Sequence, residues 1–337
     1  SDRGAQIWRK GKKGWEVVEA DGFRNGNNGI DHMFEFNGML YASTYNYDPN
    51  NGGQIWRTMD GLSWQIVVNN GFDQGQRNPE IFRMMKLDNQ LCATTWSNNS
   101  GSQLWCSPSG DLGSWTKEDL GGDGFGHDDA IAISDVIEYQ GGWYAATFHA
   151  NYDDDGDGNP DDLDADADGG QVWLRGKNGT WTQVNENGFG VPENVFISSL
   201  VPFTGGLYAM AVHGPGEASQ IWRCKGKCDK AADWEFVTDG ETLGGDWNYR
   251  RGAGLVLVGT RLVAVMGNND LGLGVFTTLD GNTWAQVGLP GMGNSNNQLT
   301  YYANSLYPYK GNLYMGVFNW GTGGSVWKFC PTKKVCK

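Results

Sequence analysis

One short segment returns along the whole chain. Residues 4–9 read GAQIWR, and the pattern recurs as GGQIWR at Gly52, GSQLWC at Gly101, GGQVWL at Gly169, ASQIWR at Ala218 and GGSVWK at Gly323. Its tryptophan falls at 8, 56, 105, 173, 222 and 327, in steps of 48, 49, 68, 49 and 105. The longest step holds a degenerate copy, GLGVFT, at Gly272. A second tryptophan follows every copy but the last (Trp15, Trp64, Trp115, Trp181, Trp234, Trp284), and a Gly-Phe step appears at Phe23, Phe72, Phe125 and Phe189. Each unit also carries an apolar hairpin of one form: FEFNGMLYAST, MKLDNQLCATT, IEYQGGWYAAT, VPFTGGLYAMA, VLVGTRLVAVM, YPYKGNLYMGV. A repeat of this length constrains the fold before any single residue does.

The hairpins alternate apolar with polar or small residues around two-residue turns such as Asn37-Gly38 and Gly311-Asn312, the pattern of paired strands. No stretch sustains a 3.6-residue period, so helix is nearly absent. Four short strands per unit, six times over, predict a single all-β domain over residues 1–337: a six-bladed β-propeller of four-stranded antiparallel blades. A sheet this small cannot bury both faces, whereas stacking it between copies of itself can. The repeat-wide tryptophans are therefore expected in the wedge between blades. The chain opens on a hairpin's worth of outer strands and ends on an inner hairpin plus one. The last blade is thus expected to close with strands from both termini, residues 6–9 and 325–329 competing for one place.

At two third-to-fourth-strand turns, Thr58-Met59-Asp60-Gly61-Leu62-Ser63-Trp64 and Thr278-Leu279-Asp280-Gly281-Asn282-Thr283-Trp284, the chain resembles the Asp-box, sialidase-like propellers. The resemblance implies an aspartate that caps a tight turn and a glycine at positive φ. It carries architecture and no activity.

The chain has 39 acidic against 25 basic residues, a formal net charge of −14. That balance excludes a nucleic-acid binder, which needs a basic stripe. The longest apolar run, residues 254–267, is interrupted by Arg261 and too short for a membrane span. No Gly-x-Ser-x-Gly and no Gly-Lys-Ser/Thr nucleotide loop occurs. Six cysteines are spaced for local pairing: Cys92 with Cys106, Cys224 with Cys228, Cys330 with Cys336. Three disulfides imply an oxidising compartment, secreted or periplasmic. The start at Ser1, without Met or an apolar leader, reads as that of a processed product or a fragment.

The 68-residue step contains an insert after the third hairpin, 151–168, reading NYDDDGDGNPDDLDADAD with nine Asp and no base. Asp153, Asp155 and Asp157, then Gly158, Asp161 and Asp164, take the ligand and glycine positions of an EF-hand-type loop. With no helices beside it, the insert is similar to the calcium loops of thrombospondin type 3 and dockerin modules, so it is expected to be ordered by calcium. Asp162, Asp166 and Asp168 offer a second, weaker set.

All four histidines fall on the connections of one propeller face. His149 and His213 end equivalent strand runs, YAATFH and YAMAVH, where other units place Asn46, Ser97, Asn268 and Asn319. Departures from a repeat are where function tends to be placed. His149, His213 and His127, with Asp128 and Asp129 nearby, suit copper or zinc; His32 opens the first hairpin. Four tryptophans lie outside the repeat, and Trp96, Trp247 and Trp320 map to that same rim near Tyr45, Tyr47, Tyr301 and Tyr302, as a sugar-stacking surface would. Asp31, Glu80 and Asp246 are the rim carboxylates, on separate units with no spacing that nominates a pair.

The resulting expectation is a secreted, non-enzymatic metal-binding β-propeller, free or associated with the cell surface, with a calcium-ordered loop and a histidine copper or zinc site. Its alternative is a carbohydrate-binding or glycan-cleaving extracellular propeller. Metal ions, glycans or a cell-surface protein are the expected partners.

Overall fold

The structure, a computed structural model, describes residues 4–98, 100–150, 168–213, 218–244, 249, 251–299, 303–319 and 321–330. Among them strands dominate, and the two α-helices, Asn70–Asp73 and Gly240–Gly244, span about one turn each. The all-β expectation holds. No helix of the described residues is long and apolar enough to cross a membrane. The chain divides into two compact units, Ser1–Ser134 and Asp135–Lys337.

In the first unit, Ile7–Gly11 and Gly14–Glu19 form a two-stranded sheet of their own. Gly29–Phe36 then pairs with Met39–Tyr45, which pairs with Ile55–Thr58, which pairs with Gln65–Val68. The next set repeats this order with Glu80–Leu87, Gln90–Trp96, Leu104–Ser107 and Thr116–Lys117. Left-handed Asn37 (φ 50°) and Gly38 (φ 76°) close the first inner hairpin, as the right-handed twist of its strands requires. Successive sets are stitched by backbone: Tyr45 lies opposite Glu80, Trp96 opposite Ala132, and Asn46 and Ser97 donate their N–H to the carbonyls of Pro79 and Ile131.

The second unit begins inside the strand Ala130–Tyr139 and continues in the same way. Gly142–His149 pairs with Val172–Arg175 and that with Trp181–Gln183. Phe196–Phe203, Gly206–Val212, Gln220–Lys225 and Trp234–Asp239 follow, then the four-stranded sheet Arg251–Val258, Arg261–Gly267, Gly274–Thr278 and Trp284–Gln286. In the last set Asn312–Asn319 pairs with Asn297–Leu299, Leu306–Tyr309 and Ser325–Phe329.

Three devices hold one set against the next. The Gly-Phe step is a left-handed turn, with φ near 60° at Phe23, Phe72, Phe125 and Phe189, and Met292 takes its place in the fifth set. In that conformation the ring is thrown onto the following set's tryptophan. Phe23 stacks on Trp56 and Phe72 on Trp105 with centroids 4.5 Å apart, and Phe189 on Trp222 at 4.9 Å. Contacts of this kind are worth about 1 kcal/mol beyond the area they bury.

The second device is polar. In four sets the glutamine two residues before the repeat tryptophan accepts the indole N–H: Gln54 from Trp56, Gln103 from Trp105, Gln171 from Trp173 and Gln220 from Trp222, all at 2.9 Å. Asn27, Asn78 and Asn194 donate both to Gln54, Gln103 and Gln220 respectively and to the carbonyl of the preceding set's turn glycine, Gly22, Gly71 or Gly188. A buried amide left unpaired costs roughly 1–3 kcal/mol, so this clasp fixes register as well as adding stability.

Third, the third-to-fourth-strand turn of one set seats a tyrosine of the set before. A Cβ on Gly281 (φ 77°) would lie 1.9 Å from the Tyr208 hydroxyl, and one on Gly110 (φ 74°) 2.3 Å from that of Tyr41. These positions accept only glycine.

The tryptophans do not all share the buried wedge. Trp8 and Trp15 are 51% and 53% exposed, because within their unit no third strand covers the hairpin that carries them. Two of the expected disulfides are present: Cys92–Cys106 bridges directly opposed strand residues, and Cys224–Cys228 closes a turn. Cys330 is also disulfide-bonded, and Cys336 lies outside the described residues.

Candidate functional site

Two carboxylates that the sequence leaves unpaired, Asp31 and Glu80, meet in the first unit. Strand pairing slips between Ile30 and His32, so Asp31 is the extra residue of a β-bulge, a device that re-aims a side chain. The same slip recurs between Ile81 and Arg83 and between Ile197 and Ser199, where the extra residues are Phe82 and Ser198. Glu80 opens its strand opposite Tyr45, whereas Ala132 and Phe196 hold the matching places opposite Trp96 and Phe148. Both acids thus stand where these sets place apolar or neutral groups, while the fifth set has Arg251 at the place of Glu80.

Two tyrosines complete the site. The rings of Tyr45 and Tyr47 lie 5.1 Å apart, and the Tyr47 hydroxyl donates to Glu80 Oε1 at 2.5 Å. Gly29 leaves room for the first ring, since a Cβ there would come 2.0 Å from Tyr45. The loop carrying Tyr47 is tied down on two sides. Asn28 Oδ1 accepts the Tyr47 N–H at 2.9 Å, and the Gln76 amide donates to the carbonyls of Asn46, Asp48 and Asn51. Tyr47 is nevertheless 59% exposed, so its ring is open to solvent while its hydroxyl reaches the carboxylate.

The electrostatics are unusual. Asp31 is 6% and Glu80 2% exposed. Both Asp31 oxygens and Glu80 Oε2 have no hydrogen-bond partner among the described residues. Burial pushes the Glu80 carboxyl up to about 7, against the lowering effect of the Tyr47 hydrogen bond. Asp31 rises well above the usual carboxylate range through burial first and the Glu80 charge second. Tyr47 and Tyr45 are raised by burial and by the two acids beside them. No positive charge compensates from His32: its Nδ1 accepts the Met84 N–H at 3.1 Å, and burial, with the Arg83 charge, holds it down at about 3. A buried carboxylate with oxygens that lack a donor is expensive to ionise, which is why both carboxyls are raised.

The other expected site residues are distributed as follows. His127 and Asp129 in the first unit bring ligand atoms within 4.8 Å of each other. In the second unit His149 is fully buried and donates its backbone N–H to Val195 at 2.9 Å, while His213 is half-buried just after the strand Gly206–Val212. Neither joins a cluster of three ligating residues among those described. Asp168 is exposed and accepts from Asn187 at 3.2 Å. Trp96 is buried against Phe82, its indole N–H donating to Asn98 at 3.3 Å. Trp143 is also buried and lies under the Arg175 guanidinium. The calcium positions Asp153, Asp155, Asp157, Asp161 and Asp164, and also Asp246, Trp247, Tyr301, Tyr302 and Trp320, lie outside the described residues.

What sequence reasoning misses is the convergence of two acids 49 positions apart and the part of Tyr47. The available signal is departure from the repeat: Asp31 where Phe82 and Ser198 stand, Glu80 where Ala132 and Phe196 stand.

Neither a protein-family model nor a curated protein matches the sequence. Solved structures do match. The β-propeller domain of the Trilobed protease from Pyrococcus furiosus is 7% identical with a TM-score of 0.52, over 97% of this chain and 88% of that one. A putative gluconolactonase is 15% identical with a TM-score of 0.50, over 89% and 88%. A prolyl endopeptidase is 10% identical with a TM-score of 0.54, over 98% of this chain and 50% of its own. At these identities the likeness is one of fold, and the fold is a β-propeller.

Proposed function

We propose that the chain is an extracellular or periplasmic, carbohydrate-directed β-propeller whose functional centre is the Asp31–Glu80 pair. The observation that carries this reading is the convergence of two buried carboxylates beneath a half-open pair of tyrosines. An exposed tyrosine ring gives a sugar a face to stack on, and carboxyl groups at its foot give the polar chemistry that cleaving a glycosidic bond needs. Tyr47 thereby takes the platform role that the sequence suggests for Trp96, Trp247 and Trp320. The propeller has six blades forming one domain over residues 1–337, the last closed by strands from both ends. The disulfides accord with an oxidising compartment.

The test is an oligosaccharide binding array, followed by product analysis on the glycans retained. Glu80→Gln is expected to keep binding and to lose cleavage by at least about 100-fold. Tyr47→Ala is expected to weaken binding about ten-fold. An array without hits at millimolar glycan removes the reading.

A second reading, a non-enzymatic metal-binding propeller, is supported by the closeness of His127 and Asp129. In it Asp153, Asp155, Asp157, Asp161 and Asp164 bind calcium to order the acidic insert 151–168, and His149 and His213 offer imidazoles for copper or zinc. Mass spectrometry of the purified native protein that finds no calcium, copper or zinc would exclude it.

A further inference from the structure

We propose that Asp31 and Glu80 are ligands of one divalent metal ion, a hard cation of the magnesium, manganese or calcium kind, held by their oxygens together with water. This rests on taking the pair as the functional centre, and it does not depend on a glycan being what binds there.

The argument starts from three oxygens. Asp31 Oδ1, Asp31 Oδ2 and Glu80 Oε2 are buried and without a donor among the described residues. Removing two carboxylates from water costs several kcal/mol per ion unless something positive replaces the solvent. The neighbouring basic groups do not supply it. His32 Nδ1 is turned to the Met84 N–H, which it accepts at 3.1 Å, and the Arg83 guanidinium donates to the Ser134 carbonyl at 3.4 Å. A proton shared between the carboxyls would engage two of the three oxygens, whereas a divalent cation can engage all of them.

The donor set also selects the ion. The orphan atoms are all carboxylate oxygens, which favour hard cations over copper or zinc. Magnesium-type sites commonly use one or two carboxylates and keep several waters, so two protein ligands are enough. Tyr47 acts as a positioning residue. By donating to Glu80 Oε1 it fixes that carboxylate's rotamer and leaves Oε2 for the ion, and the Gln76 anchor holds Tyr47 in place.

The experiment is equilibrium dialysis of the full chain against Mn²⁺ with metal analysis, run beside thermal melts with and without Mn²⁺, for the wild type and the double variant Asp31→Asn/Glu80→Gln. The acidic insert is left intact in both, so its ions cancel. The wild type is expected to retain one Mn²⁺ more per chain than the variant and to show the larger metal-induced rise in Tm. Tyr47→Phe is expected to bind that ion about ten-fold more weakly. Equal stoichiometry and equal thermal shift in wild type and double variant overturn the proposal. Near-isosteric amides avoid the charge problem, so the variant folds at least as well without metal. The two proposals fail separately. Glycan cleavage that persists in a chelator, with no extra ion bound, leaves only the carbohydrate reading. An extra ion with no glycan bound leaves only the metal site.

Discussion

Asp60 and Asp31 belong to the same repeat and carry the same group, yet their surroundings drive the two carboxyls in opposite directions. Asp60 Oδ1 accepts the N–H of Leu62 and of Ser63 at 2.8 Å and the Thr58 hydroxyl at 3.0 Å. These donors hold its carboxyl down at about 2, the backbone N–H of Ser63 contributing most. Asp280 repeats the arrangement with Asn282, Thr283 and Thr278 and is lowered in the same way. Asp31 and Glu80 are raised, by burial before anything else. A carboxylate surrounded by backbone donors closes a turn and has nothing left to offer. A carboxylate buried with an oxygen that no donor reaches still has that oxygen to offer a ligand. The environment, not the residue type, separates structural acids from functional ones.

That contrast can be broken from the structural side first, where the effect is largest. Gly281 and Gly288 share φ 77°, but a Cβ on Gly281 strikes the Tyr208 hydroxyl while one on Gly288 meets nothing within 4 Å. Gly288→Ala should cost only the left-handed backbone penalty, about 1 kcal/mol, whereas Gly281→Ala should cost about 3 kcal/mol or more. Urea titrations of both variants measure the difference. Equal losses would mean that the turn does not seat the tyrosine.

The buried pair predicts a gain instead of a loss. Glu80 has a folded pKa of about 7, above its usual value of 4.5. Its contribution to stability is therefore complete below pH 4.5 and disappears as pH rises through about 7. In metal-free buffer at pH 8, Glu80→Gln should stabilise the protein by up to about 3 kcal/mol, and the gain should vanish at pH 4. A loss of stability at pH 8 would show that the carboxylate has a partner after all.

The smallest effect belongs to the exposed turn, and its sign is opposite. Asp60 titrates at about 2 when folded against 3.8 ordinarily, so its stabilisation is present above pH 3.8 and lost as pH falls through about 2. Asp60→Ala should lower Tm at pH 7 and lower it less at pH 2, as scanning calorimetry would record.

Much of this was legible in the sequence, and the reasons lie in particular residues. The first inner hairpin formed where alternation and the Asn37-Gly38 turn placed it, whereas the last turns at Lys310-Gly311 and not at Gly311-Asn312, because Asn312 pairs with Tyr309. The Asp60 and Asp280 turns carry the hydrogen bonds that their resemblance implied. Cys92 met Cys106 because they face each other across adjacent strands. The Asn–Gln clasp is only half legible: its glutamines, Gln54, Gln103 and Gln220, stand two residues before Trp56, Trp105 and Trp222. Its asparagines follow their glycines at offsets of 5, 7 and 6 residues, so no fixed spacing reveals them. Trp8 and Trp15 misled in the other direction. They match the repeat, but exposure depends on what covers a strand and not on its own sequence.

Taken alone, the sequence determined the strand-rich repeat, its inner hairpins and the turns at Asp60 and Asp280. These are set by local periodicity and turn chemistry, which act over a few residues. Only the tertiary structure decided that Asp31 and Glu80 come together, that Tyr47 bonds one oxygen of Glu80 and that the other three carboxylate oxygens find no donor. Those outcomes depend on a bulge re-aiming one side chain and on two strands of different repeats lying side by side. Burial and proximity between distant positions arise from packing, and no local pattern encodes them.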